Sequence, residues 1–436
     1  MVNYIVQGGK KLKGEIIVSA GKNSPVALLC ASLLVRGKVV FRDMTKVSDV
    51  MNILKIFSSI GVSYEWKDDS TLFVDTSSQL SMDKIDKDLC SKMRVSLLFM
   101  GALAAREKQF NVYRSGGCKL GKRSIRPHTM ALEAFGISIS SLESYYSVST
   151  QSLHAAEIVM YESGDTATEN PIMAAVLAPG VSIIKMASAN YMVQDLCHFL
   201  NTAGAKIEGI GTTTLKITGV ERLHDVDAYY LMPDPVDAMA WISLSITTKS
   251  ELVIKDCPLD FLELELLKLS VMGQKFDISE KRKSKSGHFD LVDITVLSSE
   301  LVALTDKVYG RPFPGFNIDN VPLFVPLLTR AIGTTLVHDW CYENRALYAL
   351  ELQKLGANVR LLDPHRVLIE GPTELKGNDI IAPPAIRPAM AILISMIAAT
   401  GESILRDVYP IERAYDGLLG RLHSVGVNIK RVELLQ

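Results

Sequence analysis

The chain has 436 residues, 48% of them hydrophobic and 22% charged, with a formal net charge of -1. Such a chain can bury a large core and has the length for two or three domains. Its near-zero charge balance supplies no global field to attract nucleic acid or an anionic membrane, so any anion site must come from local clusters of Lys and Arg.

The stretch Met1 to Gly9 is too short and too interrupted for a signal peptide, and no later apolar run reaches the roughly 18 residues of a membrane span. From there a pattern recurs six times: a helical apolar periodicity, a Gly turn, then alternating residues. The copies lie at Leu54 to Ser63, Leu132 to Ile139, Leu200 to Ile207, Leu267 to Phe276, Leu352 to Val359 and Leu422 to Ile429. Their glycines, Gly61, Gly136, Gly204, Gly273, Gly356 and Gly426, recur every 70 to 80 residues or so, roughly the size of a small α/β unit and too long for a solenoid repeat. Glycine just past a helix end caps it in the left-handed conformation and turns the chain into a strand.

A second helix, apolar nearly all round and therefore buried, recurs in the same register. It is expected at Asn23 to Val35, Met93 to Ala105, Asn170 to Ala178, Val236 to Ile246, Val321 to Ile332 and Pro388 to Ala399. β-branched stretches such as Val39-Val40-Phe41, Val181 to Ile184 and Thr334 to Val337 follow these helices and read as strands. Six such units suit two domains of three, with the buried helices inside and the strands outside. Leu231-Met232-Pro233-Asp234-Pro235, with its two prolines, reads as a hinge between the third and fourth units. A second crossing is expected near Ser19-Ala20-Gly21, which puts a ligand site in the cleft between lobes.

Between Ser115 and Arg123 one thiol, Cys118, sits among three glycines and the cations Lys119, Lys122 and Arg123. Nearby positive charge favours thiolate, so this cysteine is expected to titrate low. The alternative is a mobile surface turn with an incidental cysteine. The six cysteines, Cys30, Cys90, Cys118, Cys197, Cys257 and Cys341, form no Cys-x-x-Cys pair and suit a reducing compartment, so the chain reads as soluble and cytoplasmic.

Ordered landmarks run the length of the chain. They are Gly21-Lys22-Asn23, Lys92-Met93-Arg94, the Gly-Gly-Cys-x-x-Gly-x-Arg loop, Ala167-Thr168-Glu169-Asn170, Met232-Pro233-Asp234, Asp319, Glu343-Asn344-Arg345, Arg387 and Ile411-Glu412-Arg413. With these the sequence resembles the enolpyruvyl transferases. It is most similar to the branch that acts on UDP-N-acetylglucosamine in peptidoglycan synthesis; the branch that makes 5-enolpyruvylshikimate 3-phosphate lacks the cysteine loop. The resemblance implies an α/β fold of two inside-out barrel domains, each of three βαβαββ units with pseudo-threefold symmetry, joined by a two-strand hinge. The lobes would be residues 1–21 with 234–436, and residues 22–233, the latter carrying the Cys118 loop.

The resemblance also implies roles. Phosphoenolpyruvate carries a phosphate and a carboxylate, and its binding needs fixed cations; in the family these correspond to Lys22, Arg123 and Arg413. Addition of an acceptor hydroxyl across the enol double bond gives a tetrahedral ketal, and elimination of phosphate completes the transfer. Cys118 would deliver the proton to the methylene carbon and Asp319 would act as base on the hydroxyl, with Lys22 and Arg413 completing the catalytic set. The residue reading of Asp319 also allows a helix N-cap before the apolar run Val321 to Leu328. Asn23, Arg94, Arg345, Arg387, Ser124, Arg126, Gly164 and Thr166 would line the acceptor site. No cofactor or metal is implied, and the eight histidines show no ligand spacing.

The sequence departs from the family in two places. Two residues before Arg387 the family usually carries Asp, and here stands Ala385. On the acceptor side, Ser124-Ile125-Arg126-Pro127-His128 reverses a charge, Glu162-Ser163-Gly164-Asp165-Thr166 replaces an uncharged or basic stretch, and Asn190-Tyr191-Met192 replaces Glu-Pro-Glu. Acids beside a diphosphate would cost binding unless a cation such as Arg126 intervenes. The expected partners are therefore phosphoenolpyruvate and a nucleotide or nucleotide-sugar acceptor, with the same chemistry on another acceptor in a secondary pathway as the alternative. Ala385 also suggests a catalytically silent paralogue, which fosfomycin, an alkylator of the loop cysteine in relatives, would distinguish. The basic run Lys281 to Lys285 lacks interleaved aromatics and reads as a solvated loop, so no nucleic acid is expected. No membrane is expected either, and the chain is read as a monomer or weak homo-oligomer.

Overall fold

The computed structural model describes residues 2–114 and 124–433. They cluster into two compact units, one made of the chain up to Gly21 and from Pro233 onwards, the other running from Lys22 to Met232.

In the first unit three sheets share one plan. Lys307–Tyr309 runs parallel to Gly333–His338, which pairs antiparallel with Arg366–Gly371, which pairs antiparallel with Asn358–Asp363. Lys13–Ile17, Glu251–Pro258, Asp290–Val296 and Phe276–Ile278 repeat that order, as do Asp379–Ile381, Gly401–Arg406, Val2–Gly8 and Asn428–Glu433. A helix precedes the second strand of each sheet: Val321–Leu328, Pro235–Thr247 and Ile386–Ala398. These three helices pack against one another, and every residue of Pro235–Thr247 is buried. A helix with no polar face cannot meet water on any side, so it takes the centre and the sheets take the outside.

The second unit follows the same plan. Val226–Tyr230, Lys38–Arg42, Leu72–Asp75 and Ser63–Trp66 form one sheet, and Glu157–Val159, Val181–Lys185, Thr214–Thr218 and Lys206–Glu208 another. The third has Tyr145–Thr150 between Gln109–Tyr113 and Ile137–Ser141. Helices Asn23–Ser32, Phe99–Ala104 and Asp165–Ala175 pack together at the centre. The six-fold pattern in the sequence thus becomes six sheets around two groups of three helices. All six turn glycines carry positive φ, between 83° at Gly136 and 99° at Gly204.

Several helix boundaries differ from expectation; the helix expected from Asn23 to Val35, for one, ends at Ser32. The helix expected from Met93 to Ala105 is a 3-10 turn, Arg94–Leu98, leading into Phe99–Ala104. There the Ser96 hydroxyl donates to the carbonyls of Cys90 (3.1 Å) and Met93 (2.7 Å), competing with the helical ladder. The helix expected from Val321 to Ile332 stops at Leu328, where Pro326 has no N–H to give and Thr329 Oγ1 donates to its carbonyl at 2.6 Å. The third expected helix starts at Asp165 rather than Asn170 and ends at Ala175. The basic run is also not simply a solvated loop: Arg282–Lys283 pairs as a short strand with Asp290 and Leu291, and the Arg282 guanidinium meets Asp256 and Asp293 at 2.5 and 2.6 Å. Among the described residues no helix is long and apolar enough to cross a membrane.

Gly21 ends the first segment of the first unit with φ +60, and a Cβ there would lie 2.1 Å from Asp234 Oδ2. Asp234 is also the N-cap of Pro235–Thr247, its Oδ1 accepting from Val236 N at 2.8 Å. Gly21→Ala would strain the backbone and displace that cap together. We expect a loss of about 2–4 kcal/mol, read as a lowered midpoint in denaturant unfolding.

Candidate functional site

In the first unit the N-terminal ends of the three central helices carry Asp234, Asp319 and Arg387, and these side chains converge. Arg387, in the first turn of Ile386–Ala398, places Nε 3.4 Å from Asp319 Oδ2 and Nη2 3.9 Å from Asp234 Oδ2. A cation at a helix N-terminus opposes the macrodipole, and the two carboxylates offset it. Arg345 Nη1 lies 3.8 Å from Asp319 Oδ1 on the other side. Arg345 itself is 3% exposed and forks onto Asp339, with Nε donating to Oδ2 at 2.7 Å and Nη2 to Oδ1 at 2.6 Å, while Nη2 also donates to the Ile318 carbonyl at 2.7 Å. Burial alone would pull the guanidinium pKa down; the Asp339 charge and hydrogen bonds, joined by the charges of Tyr342 and Asp319, together outweigh it and hold the group above its ordinary value. Asp319 is therefore flanked by two fixed cations.

The cap reading of Asp319 is not what forms. The N-cap position of Val321–Leu328 is Asn320, whose side chain makes no capping bond, and the Asp319 carboxylate goes to the arginines instead. Ala385, at the N-cap of Ile386–Ala398, is 3% exposed and supplies no side-chain cap. Arg413 follows the short helix Tyr409–Glu412, its N–H donating to the Tyr409 carbonyl at 3.1 Å. Glu412 beside it accepts from Tyr4 (3.2 Å) and Arg431 (2.8 Å), tying that helix to the first and last strands.

In the second unit the central helix N-termini again carry the candidate residues. Lys22 is the N-cap of Asn23–Ser32, and its Nζ meets Asp49 Oδ2 at 3.2 Å. Asn23 Nδ2 donates to the Tyr191 hydroxyl at 3.3 Å. Ser24 Oγ donates to the buried Asp195, which also accepts from the Tyr229 hydroxyl (2.6 Å) and Met232 N (3.3 Å). Burial pushes the Asp195 carboxyl up to about 6 against the pull of those donors.

The remaining acceptor candidates join by a chain of contacts. Arg94 Nη2 donates to the Ser124 carbonyl at 3.0 Å, Ser124 Oγ accepts from Arg126 N at 3.0 Å, and the Arg126 guanidinium lies 5.4 Å from the Tyr161 ring centroid. His128 is buried, and burial followed by the Arg94 charge lowers its pKa to about 3, so the ring is neutral. Its Nδ1 lies 2.8 Å from Asn170 Nδ2, and since that nitrogen accepts, Nε2 carries the proton. Gly164 is the N-cap of Asp165–Ala175, with the exposed Thr166 in the first turn. Asp165 accepts from Ser188 Oγ at 2.6 Å and Asn190 Nδ2 at 3.2 Å. Both of these donors are neutral and come from the stretch leading into Tyr191–Thr202. Cys118 and Arg123 lie outside the described residues. Asp49, Asp195, Glu265 and Asp339 were not singled out by sequence; each lies in an otherwise ordinary stretch, and only its distant partner marks it.

Residues 6–422 match the family described as EPSP synthase (3-phosphoshikimate 1-carboxyvinyltransferase). The chain belongs to this family of enolpyruvyl transferases. It is 33% identical over 440 residues to a UDP-N-acetylglucosamine 1-carboxyvinyltransferase of Treponema denticola, covering 99% of this chain and all of that one. A protein of the same name from Helicobacter pylori is 32% identical, with 98% of each chain covered. Among solved structures, the enolpyruvyl transferase NikO from Streptomyces tendae superposes with a TM-score of 0.84 at 22% identity over 99% of both chains. EPSP synthase from Acinetobacter baumannii gives 0.75 at 15% identity, covering 99% of this chain and 100% of that one. These two show the same fold.

Two outcomes follow for this enolpyruvyl transferase. Arg345→Ala strips the partner from Asp339, itself 2% exposed. An uncompensated buried charge of this kind costs about 3–5 kcal/mol, which equilibrium unfolding in urea will report. Glu169, 1% exposed, has its carboxyl pushed well above 4.5 by burial and then by the Asp165 charge. The folded protein therefore keeps a proton that the unfolded chain releases above pH 4.5, so stability falls as pH rises from there towards the folded value. Glu169→Gln removes this loss. Thermal unfolding should show the variant gaining on the wild type between pH 5 and pH 8, about these values; a constant difference across that range contradicts the assignment.

Proposed function

We propose that this enolpyruvyl transferase moves the enolpyruvyl group of phosphoenolpyruvate to a hydroxyl of a UDP-N-acetylglucosamine-like nucleotide acceptor and releases phosphate. The observation that carries the reading is the Asp319 carboxylate set between Arg345 at 3.8 Å and Arg387 at 3.4 Å, an arrangement that orients it as a base requires. The full-length likeness to proteins named for that acceptor supports it. Asp319 takes the hydroxyl proton as the oxygen bonds to C2 of the enol, and Cys118 gives a proton to C3, forming the tetrahedral ketal. Loss of a C3 proton then expels phosphate and restores the double bond. Lys22, Arg123 and Arg413 hold the phosphate and carboxylate of the donor.

A second reading, the same chemistry on an acceptor without a diphosphate, is favoured by Asp165 at the start of Asp165–Ala175, an acid where a helix N-terminus would otherwise welcome an anion. Phosphate release from phosphoenolpyruvate, measured with UDP-N-acetylglucosamine, UDP-glucose, UMP and uridine, separates the two. Turnover with UDP-N-acetylglucosamine supports the first, turnover confined to UMP or uridine the second, and none with any acceptor overturns both. Asp319→Asn should lower kcat by about 10²- to 10⁴-fold on the best acceptor with little change in the KM for phosphoenolpyruvate.

A further inference from the structure

Asp319 sits on a turn, residues 317 to 320, that is fastened from outside. Arg345 Nη2 holds the Ile318 carbonyl at 2.7 Å. Within the turn Asp319 N–H donates to Asn317 Oδ1 at 2.9 Å. The remaining two ties go to a single atom, Glu265 Oε1, which accepts from Asn317 N at 2.9 Å and from Asn320 Nδ2 at 2.9 Å. Glu265 lies on the separate helix Glu263–Val271 and is 2% exposed.

The arrangement is unfavourable for stability taken alone. Asn is among the best N-cap residues, yet Asn320, at the N-cap position of Val321–Leu328, makes no capping bond because its amide is turned to Glu265. Its Oδ1 is buried without a hydrogen-bond partner among the described residues. Burial also pushes the Glu265 carboxyl up, and the Asn320 and Asn317 donors pull it back. A forgone cap and an unsatisfied acceptor at Asn320 coincide with the buried acid Glu265 that it bonds, all next to Asp319, and such local costs collect where geometry serves function.

We infer that Glu265 is a positioning residue, fixing the Asn317 to Asn320 turn in the geometry that base catalysis by Asp319 requires. The inference rests on the reading of Asp319 as the base, and it adds a second carboxylate that never meets substrate. Glu265 acts through the two asparagines; the turn, tied at residues 317, 318 and 320, leaves Asp319 little freedom to swing from the acceptor hydroxyl. Misplacement of a reacting group by an ångström or so costs of order a hundredfold in rate.

The test compares kcat, both KM values and the unfolding midpoint for Glu265→Leu, Glu265→Gln, Asp319→Asn and the Glu265→Leu/Asp319→Asn double variant. The assay is phosphate release from phosphoenolpyruvate with whichever of UDP-N-acetylglucosamine, UDP-glucose, UMP and uridine the wild type turns over fastest. Leucine removes the acceptor, and kcat should fall about 10- to 100-fold with the KM for phosphoenolpyruvate within about twofold. Glutamine keeps an oxygen for both donors and should stay within about threefold of wild type. In the Asp319→Asn background the leucine change should alter the residual rate by less than about twofold, because the group it positions is gone. A wild-type kcat for Glu265→Leu, or an equal fall in both backgrounds, overturns the inference while Asp319→Asn still reports the base as intact. Full activity in Asp319→Asn instead sinks the base assignment, and with it the role of Glu265. Should Glu265→Leu fail to fold, Asn320→Ser removes one donor while supplying a helix cap; a fall of at least about threefold in kcat without a lower unfolding midpoint supports the inference, and an unchanged kcat overturns it.

Discussion

Everything in this molecule follows from helices that have no polar side to show. The three central helices of each unit are buried all round, so none of their flanks can carry a charged group without placing it in a hydrocarbon interior. Only their ends reach polar surroundings. The candidate residues accordingly gather at N-termini: Lys22 and Asn23, Arg94, Gly164 and Thr166 in one unit, and Asp319 and Arg387 with Asp234 in the other. Helix N-termini add partial positive charge to the side-chain cations gathered there, so local anion-binding character does not require a basic chain.

Charge within the site is managed in pairs. Arg345 is locked by Asp339 and can approach Asp319 without collapsing onto it, and Arg387 is shared between Asp234 and Asp319. Position 385 carries no acid, and Arg387 has those two aspartates beside it and the Tyr415 ring 5.3 Å from its guanidinium. Among the residues that depart from the family pattern, the exchanges answer one another. Asp165 introduces a charge, Asn190 donates to it, and Tyr191 next in sequence receives Asn23.

The sixfold plan was legible because every signal for it is local. Glycine past a helix end and apolar residues on all faces of a helix are properties of a dozen neighbouring residues, and the six glycines all adopt the conformation their spacing implies. Helix ends were less legible, because Ser96 and Thr329 decide them by hydroxyl bonds that compete with the ladder. The partners of the site were not legible at all. Glu265 lies 52 residues before the backbone N–H it accepts from, and Asp195 lies 171 residues from Ser24. No periodicity links such pairs, and only the packing of separate helices brings them within reach. The resemblance supplied the roles of Lys22, Asp319 and Arg413; it could not supply the side chains that hold them.

The strand Val2–Gly8 occupies the interior of its sheet, flanked by Gly401–Arg406 and Asn428–Glu433. Val2–Gly8 therefore has no partner on either edge until Gly401–Arg406 and Asn428–Glu433 have been made, whereas the unit from Lys22 to Met232 is already whole well before then. During synthesis the opening strand waits as an unpaired edge tethered to a finished neighbour, and closure of its sheet becomes a late, long-range step in the birth of the protein.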